Sequence, residues 1–226
     1  MLSCEHGGNR VPAKWKDVLR PAEALLPTHR GFDAGALELA RRLARRLDAP
    51  LFAATVTRLL VDLNRHERSR AVFSRWTAEL SADLRRELVL RWHRPHRAAV
   101  HDACAAAIAG GHAVVHVAVH SFTPVLGGVT RNADVGLLYD PSRARERGFV
   151  ERWRAELSGR APALRVRMNY PYRGSSDGLT RWLRTCFSDR RYAGVELELN
   201  QALLDSPPRW RTATAAIEAS LRAALG

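Results

Sequence analysis

Ala113-Val114-Val115-His116-Val117-Ala118-Val119, leading into His120-Ser121-Phe122, is apolar at nearly every position up to 119 and then turns polar. A run of this kind, rich in β-branched residues and without strict alternation, reads as a strand covered on both faces, which is the middle of a helix-flanked sheet. Its polar end is then the carboxyl edge of the sheet, where side chains of an open α/β fold project into a crevice and ligands collect. His116 lies inside the run and reads as packing, whereas His120 lies at its end. The chain opens on the same pattern: Leu2-Ser3-Cys4 begins as a strand and passes into Glu5-His6-Gly7-Gly8-Asn9-Arg10-Val11-Pro12. The two glycines give His6 the backbone freedom that a close approach to a metal or substrate uses. Two histidines at two strand ends, more than a hundred residues apart, are placed to hold one metal ion.

Outward from these strands, short β-like runs alternate with longer helical stretches. Residues 33–47 carry Leu37, Ala40, Leu43, Ala44 and Leu47 at helical spacing, with Gly31 ahead and Asp48 and Pro50 closing the pattern. Strands are predicted at 51–56 and 59–63, joined as a hairpin, and at 135–139, 165–168 and 194–199; helices are predicted at 144–157, 178–185 and 212–225. The stretch 78–110 is helical by pattern, with Pro95 expected to kink or split it. This alternation predicts the α/β class with helices against a sheet. No repeat, low-complexity tract or linker interrupts it, and 226 residues with 46% hydrophobic content suit one core, so a single domain over 1–226 is expected.

The balance of 36 basic against 23 acidic residues gives a net charge of +13, which taken alone suggests a nucleic-acid partner. The distribution argues against it. Lysine occurs only as Lys14 and Lys16, the arginines are spread along the chain without a block of like charge, and the six tryptophans sit mostly at helical spacing suited to packing. Cys4, Cys104 and Cys186 are an odd number at distant positions, matching neither a disulfide framework nor a CxxC site, and point to a reducing compartment. No apolar run approaches a membrane span and the first residues lack a leader pattern, so a cytoplasmic protein is expected.

A zinc site with an open position needs a third protein ligand beside His6 and His120. Glu5, Asn9 and Asp33 are the candidates: Glu5 points away from His6 if the strand continues through both, and Asn9 is a poor zinc ligand. Asp33, leading a helix after Gly31-Phe32, is favoured, its competing role being an N-cap. In Thr57-Arg58-Leu59-Leu60-Val61-Asp62-Leu63-Asn64-Arg65, Arg58, Asn64 and Arg65 are candidates for gripping a substrate carboxylate, against the alternative of a solvated strand end with an internal Asp62 ion pair. Arg131, in a loop between strands, is a candidate for the same task or for stabilising an oxyanion. Glu196 and Glu198 fall on one face of an otherwise apolar strand, and Glu198, nearer its end, is the better candidate to take a proton from a metal-activated water. A metal-free binding protein of the same fold would need no such glutamate.

Seven pieces, in order, carry a resemblance to the N-formylglutamate amidohydrolase family: 3–9 with Val11-Pro12, 32–36, 58–65, His93-Arg94-Pro95-His96-Arg97, 120–124 with Arg131 and Asp134-Val135-Gly136, Asn169-Tyr170-Pro171-Tyr172, and 195–201. The resemblance implies a three-layer α/β/α sandwich with a mixed central sheet, similar to the zinc carboxypeptidases, and metal-dependent hydrolysis of a linear amide in an N-formyl or N-acyl amino acid; for the family's named reaction the products are formate and glutamate. It supports His6 and His120 as ligands to zinc or another divalent ion and Glu198 as the general base, and it adds Asn169 and Tyr172 to the substrate-binding candidates. The carboxypeptidases place a Glu three residues after the first His, where this chain has Asn9, so the third ligand stays with Asp33.

Overall fold

In the computed structural model, which describes all of residues 1–226, the chain runs β1 (Leu2–Cys4), α1 (Lys16–Leu19), α2 (Ala36–Leu47), β2 (Leu51–Ala53), α3 (Ala82–Leu88), α4 (Arg94–Ala109), β3 (Val114–Phe122), β4 (Val125–Leu126), β5 (Val129–Thr130), β6 (Val135–Leu138), α5 (Ala144–Arg160), β7 (Val166–Met168), α6 (Leu179–Cys186), β8 (Tyr192–Asn200) and α7 (Pro207–Leu225). Six strands form one sheet in the order β2-β1-β3-β8-β6-β7, and β4 pairs with β5 in a separate hairpin. The first four strands of the sheet are mutually parallel, while β6 meets β8 antiparallel and β7 runs parallel to β6. The sheet is therefore mixed, and the apolar run that begins at 113 occupies its interior, flanked by β1 and β8.

Helices α2, α5 and α7 cover one face and α4 and α6 the other, which completes the expected three layers. Between β3 and α2, α5 and α7 lies the main core, including Leu39, Leu43, Val117, Val119, Val150, Trp153, Leu197 and Ile217. Trp153 is fully buried and its indole N–H donates to Ser220 Oγ at 3.1 Å, so its one polar atom is satisfied; burying a side chain of this kind is worth about 3 kcal/mol. A second core gathers Trp15, Leu19, Val56, Leu60, Leu63 and Leu88 beside the sheet. Part of the arginine excess is structural: Arg184, buried between α6 and α5, donates to Glu146 and to the Gly194 carbonyl. No helix is long and apolar enough to cross a membrane.

Several boundaries differ from expectation. Strand β2 ends at Ala53, and 59–63 is a series of turns rather than a strand. There, side chains capture the backbone that a ladder needs: Thr57 Oγ1 donates to the Gly31 carbonyl and accepts from the Leu59 N–H, and Asp62 Oδ1 accepts from the Asn64 N–H. Leu59, Leu60, Val61 and Leu63 are all buried in the second core, so the apparent alternation there is not a two-faced strand. The 78–110 stretch starts as a helix only at Ala82, with Ser81 as its cap, and passes through a π-helical segment, Val89–His93, into α4. Pro95 falls in the first turn of α4, directly after the π-helical segment, so the irregular turn sits where proline removes a backbone N–H and the helix continues through it. Helix α7 begins five residues earlier than expected, at Pro207. Gly7 and Gly8 do not adopt the left-handed backbone; what excludes a side chain is crowding, since a Cβ on Gly8 would stand 2.7 Å from the Thr55 carbonyl oxygen. That closeness lets the chain after β1 continue beside the chain after β2, where Arg10 pairs with Val56.

Candidate metal and active site

Because β1, β3 and β8 are parallel neighbours, their carboxyl ends lie at one edge. In register, His120 is the partner of Glu198 and Ala118 of Glu196. His6 follows β1 by two residues, and the loop before α2 is tied to it by the Asp33 N–H, which donates to the His6 carbonyl at 2.9 Å. These side chains enter one cavity of about 420 Å³, lined also by Arg58, Asn64, Arg65, Tyr172 and Arg173.

At its floor one donor atom from each of His6, Asp33 and His120 lies within 4.8 Å of the other two, and all three residues are buried. Asp33 Oδ2 is 3.3 Å from His6 Nδ1 and 2.9 Å from His120 Nδ1. The far nitrogen of each ring also faces a carboxylate: His6 Nε2 is 2.7 Å from Asp62 Oδ1, and His120 Nε2 is 3.0 Å from Glu5 Oε2 by an oblique approach. Arg58 completes the network, donating through Nη2 to Asp62 Oδ2 at 2.6 Å, with Nη1 3.4 Å from Asp33 Oδ1. Asp33 is not the N-cap of α2, since Gly35 occupies that place.

The electrostatics follow from burial set against these contacts. Burial presses both histidines toward the neutral form, but Asp33 with Asp62 for His6, and Asp33 with Glu5 for His120, outweigh it, so both pKa values are raised, that of His120 strongly. The carboxylates mirror this: burial pushes Glu5, Asp33 and Asp62 up, and the histidines and Arg58 bring them down below the ordinary carboxylate range. Positive charge is favoured here, whether as protons or as a dication. Glu198 differs, because burial, aided by Asp33 and Glu196, pushes its pKa up to about 8 against the pull of His120. Its Oε2 is buried without a hydrogen-bond partner. Two imidazole nitrogens and one carboxylate oxygen form a donor set that zinc takes at catalytic sites, and a carboxylate behind each imidazole is the usual support of such ligands. The residues present fit a divalent ion.

The remaining sequence candidates divide. Asn64 and Arg65 reach the cavity: Asn64 Oδ1 accepts the Leu179 N–H at 2.7 Å, and Arg65 uses Nη1 on the Asp177 carbonyl. Arg58 lines it too but is already engaged by two aspartates. Tyr172 stands over the cavity, and its oxygen accepts from Arg131 Nη1 at 2.9 Å, which places Arg131 behind Tyr172 rather than on the cavity wall. Asn169 is not in the wall either: its Oδ1 accepts the N–H groups of Tyr139 and Gly174 and so fixes the segment that carries Tyr172 and Arg173. Glu5 sits behind His120, outside the three converging donors, and Asn9 donates to the Leu26 carbonyl. Sequence reasoning missed Arg173, His29 and Arg30 in the lining. Arg173 directly follows the 169–172 piece and the other two directly precede Gly31-Phe32-Asp33, so adjacency was the available signal.

The sequence profile described as N-formylglutamate amidohydrolase matches residues 1–204. Among solved structures, the chain is similar to a gene product of Agrobacterium tumefaciens, with 27% identity, a TM-score of 0.84 and coverage of 100% of this chain and 89% of that one. It is also similar in fold to an N-formylglutamate amidohydrolase from Ralstonia eutropha, with 20% identity, a TM-score of 0.73 and coverage of 99% and 92%. No curated relative matches by sequence. With a profile that spans nine-tenths of its length, the chain belongs to the N-formylglutamate amidohydrolase family, whose members are hydrolases acting on an amide.

Proposed function

We propose that the protein hydrolyses the amide bond of an N-formyl or N-acyl amino acid, N-formylglutamate or a close relative, with a divalent ion, zinc first, held by His6, Asp33 and His120. The observation that carries this reading is the convergence of those three donors beside Glu198, a buried carboxylate with an uncommitted oxygen. When bound, the ion supplies Lewis acidity toward water and the amide carbonyl. Glu198 takes a proton from the attacking water and returns it to the departing nitrogen, so that the C–O bond forms, the C–N bond breaks and the amine leaves neutral. In the metal-free site burial holds this carboxyl up at about 8, and a dication beside it would favour the carboxylate, bringing the group toward the range where it both accepts and returns a proton. Because the Tyr172 oxygen accepts from Arg131, its own O–H is free to donate to the developing oxyanion, with Arg131 acting through it.

The substrate class is read from the wall. Phe122 and Tyr172 are its hydrophobic members, and the rest is polar or charged. Arg65 keeps guanidinium donors beyond its single bond to Asp177, and Arg173 commits none of its side-chain donors within the protein. Two such groups favour a substrate amino acid with carboxylates over an apolar one. The test is Glu198→Gln, assayed on N-formylglutamate and N-formylleucine with metal content measured in parallel. A general base contributes about 10²–10⁴-fold, so kcat on N-formylglutamate should fall by that factor with metal retained, and wild type should prefer the acidic substrate. Unchanged turnover in the variant would sink the mechanism.

A further inference from the structure

Glu5 is 1% exposed and lies outside the cavity wall, so it does not touch substrate. A carboxylate buried that deeply is costly unless both oxygens are matched by cationic or donating groups. Its two oxygens meet two histidines from different layers. Oε1 is 3.2 Å from Nε2 of His96, in the first turn of α4, and Oε2 is 3.0 Å from Nε2 of His120, near the end of β3. The second contact is close but oblique, and no other group in the protein bonds either Glu5 Oε2 or His120 Nε2. The opposite nitrogen of His120, Nδ1, is the one turned toward Asp33 and the cavity. His6 has its own support in Asp62, which Arg58 balances; for His120 the corresponding pair is Glu5 balanced by His96.

We infer that Glu5 and His96 are positioning residues for His120: Glu5 keeps the ring proton on Nε2 and the Nδ1 lone pair facing the metal site, and His96 anchors the other Glu5 oxygen. The inference rests on the reading of His120 as a metal ligand. His96 belongs to the His93-Arg94-Pro95-His96-Arg97 piece, to which the hydrolytic mechanism assigns no part. Helix α4, on the far side of the sheet from α2, thereby reaches the metal site through one buried carboxylate.

The test measures zinc affinity of the full chain by chelator competition for wild type, His120→Ala, Glu5→Gln, His96→Leu and His96→Gln, with melting temperatures of the metal-free proteins alongside. Loss of an outer partner of a metal ligand weakens binding about 10–100-fold, the expectation for Glu5→Gln. His96→Leu should weaken zinc in the same direction. His96→Gln, whose amide nitrogen can stand where the imidazole Nε2 stands, should restore affinity to near wild type. If zinc affinity is unchanged in both Glu5→Gln and His96→Leu while melting temperatures fall, the pair is merely structural and the inference is overturned. Should Glu5→Gln fail to fold, the contrast between His96→Leu and His96→Gln decides alone. Wild-type affinity no tighter than that of His120→Ala overturns the metal reading itself, a separate failure.

Discussion

Acidification should weaken this fold through His116, a residue with no part in the chemistry. His116 lies within β3 without solvent contact, Nδ1 2.8 Å from the Tyr192 hydroxyl and Nε2 2.8 Å from Ser3 Oγ. Burial dominates its surroundings and holds its pKa down at about 3, against 6.5 for an ordinary histidine. Between these values the unfolded chain binds a proton that the folded chain refuses, so the stabilisation is whole above pH 6.5 and drains away as pH falls toward 3. Linkage between those two values gives a loss of about 2 kcal/mol from this one residue on going from pH 7 to pH 5, a sizeable share of a typical 5–15 kcal/mol. The assay is urea unfolding of metal-free wild type and His116→Gln at both pH values. The glutamine amide can bond both hydroxyls and carries no titration, so the variant should cost about 1 kcal/mol at pH 7 and match or exceed wild type at pH 5. A wild-type-minus-variant difference that stays within about 0.5 kcal/mol across the two pH values would refute the reasoning. The consequence reaches the site, because the His116–Ser3 bond pins β3 to β1, the strands that deliver His120 and His6.

Three other predictions test the site. Zinc at about 100 times its dissociation constant should stabilise the protein by about 2.7 kcal/mol, seen as a melting shift that a chelator reverses; the same shift in the His6→Ala, His120→Ala double variant would place the ion elsewhere. Tyr172→Phe keeps the ring beside Arg131, 4.9 Å from its centroid, and removes only the hydroxyl. Its kcat should drop about 10²-fold with KM nearly constant, and a change confined to KM would reassign Tyr172 to binding. In Gly136→Ala the new Cβ would lie 2.0 Å from the Tyr170 carbonyl oxygen and 3.2 Å from Glu198 Cβ. The 169–174 segment must move, so activity should fall while zinc affinity holds; full activity in a folded variant would contradict that close approach.

The helix-flanked sheet was legible where hydrophobic pattern is a local quantity, whereas its mixed strand directions came only with the family resemblance. The run at 113–119 shows its buried character in its own residues, and the polar residues that end it and the opening strand put His120 and His6 at one edge, because parallel neighbours share a carboxyl end. The segment 57–65 was misread for a related reason: alternation signals a strand only if its polar residues face solvent, and here Thr57 and Asp62 turn back onto the backbone. Arg58 illustrates the same limit, since a guanidinium free to bind substrate and one held by Asp62 and Asp33 look alike in sequence.

What the sequence by itself determined was the α/β layering and the two histidines at strand ends, because periodicity and polar breaks act over a few residues. Tertiary structure alone decided how those histidines are supported: Asp62 behind His6 is 56 residues away, and His96, which anchors Glu5 behind His120, is 91 residues from that glutamate. The different placing of Glu5 and Asp33 is the same kind of contact, as Glu5 is drawn to the back of one ring while Asp33 meets both rings at the front. Such pairings depend on where packed helices and loops deliver a charge to within about 3 Å of a ring nitrogen, a condition of three-dimensional distance that no local pattern encodes.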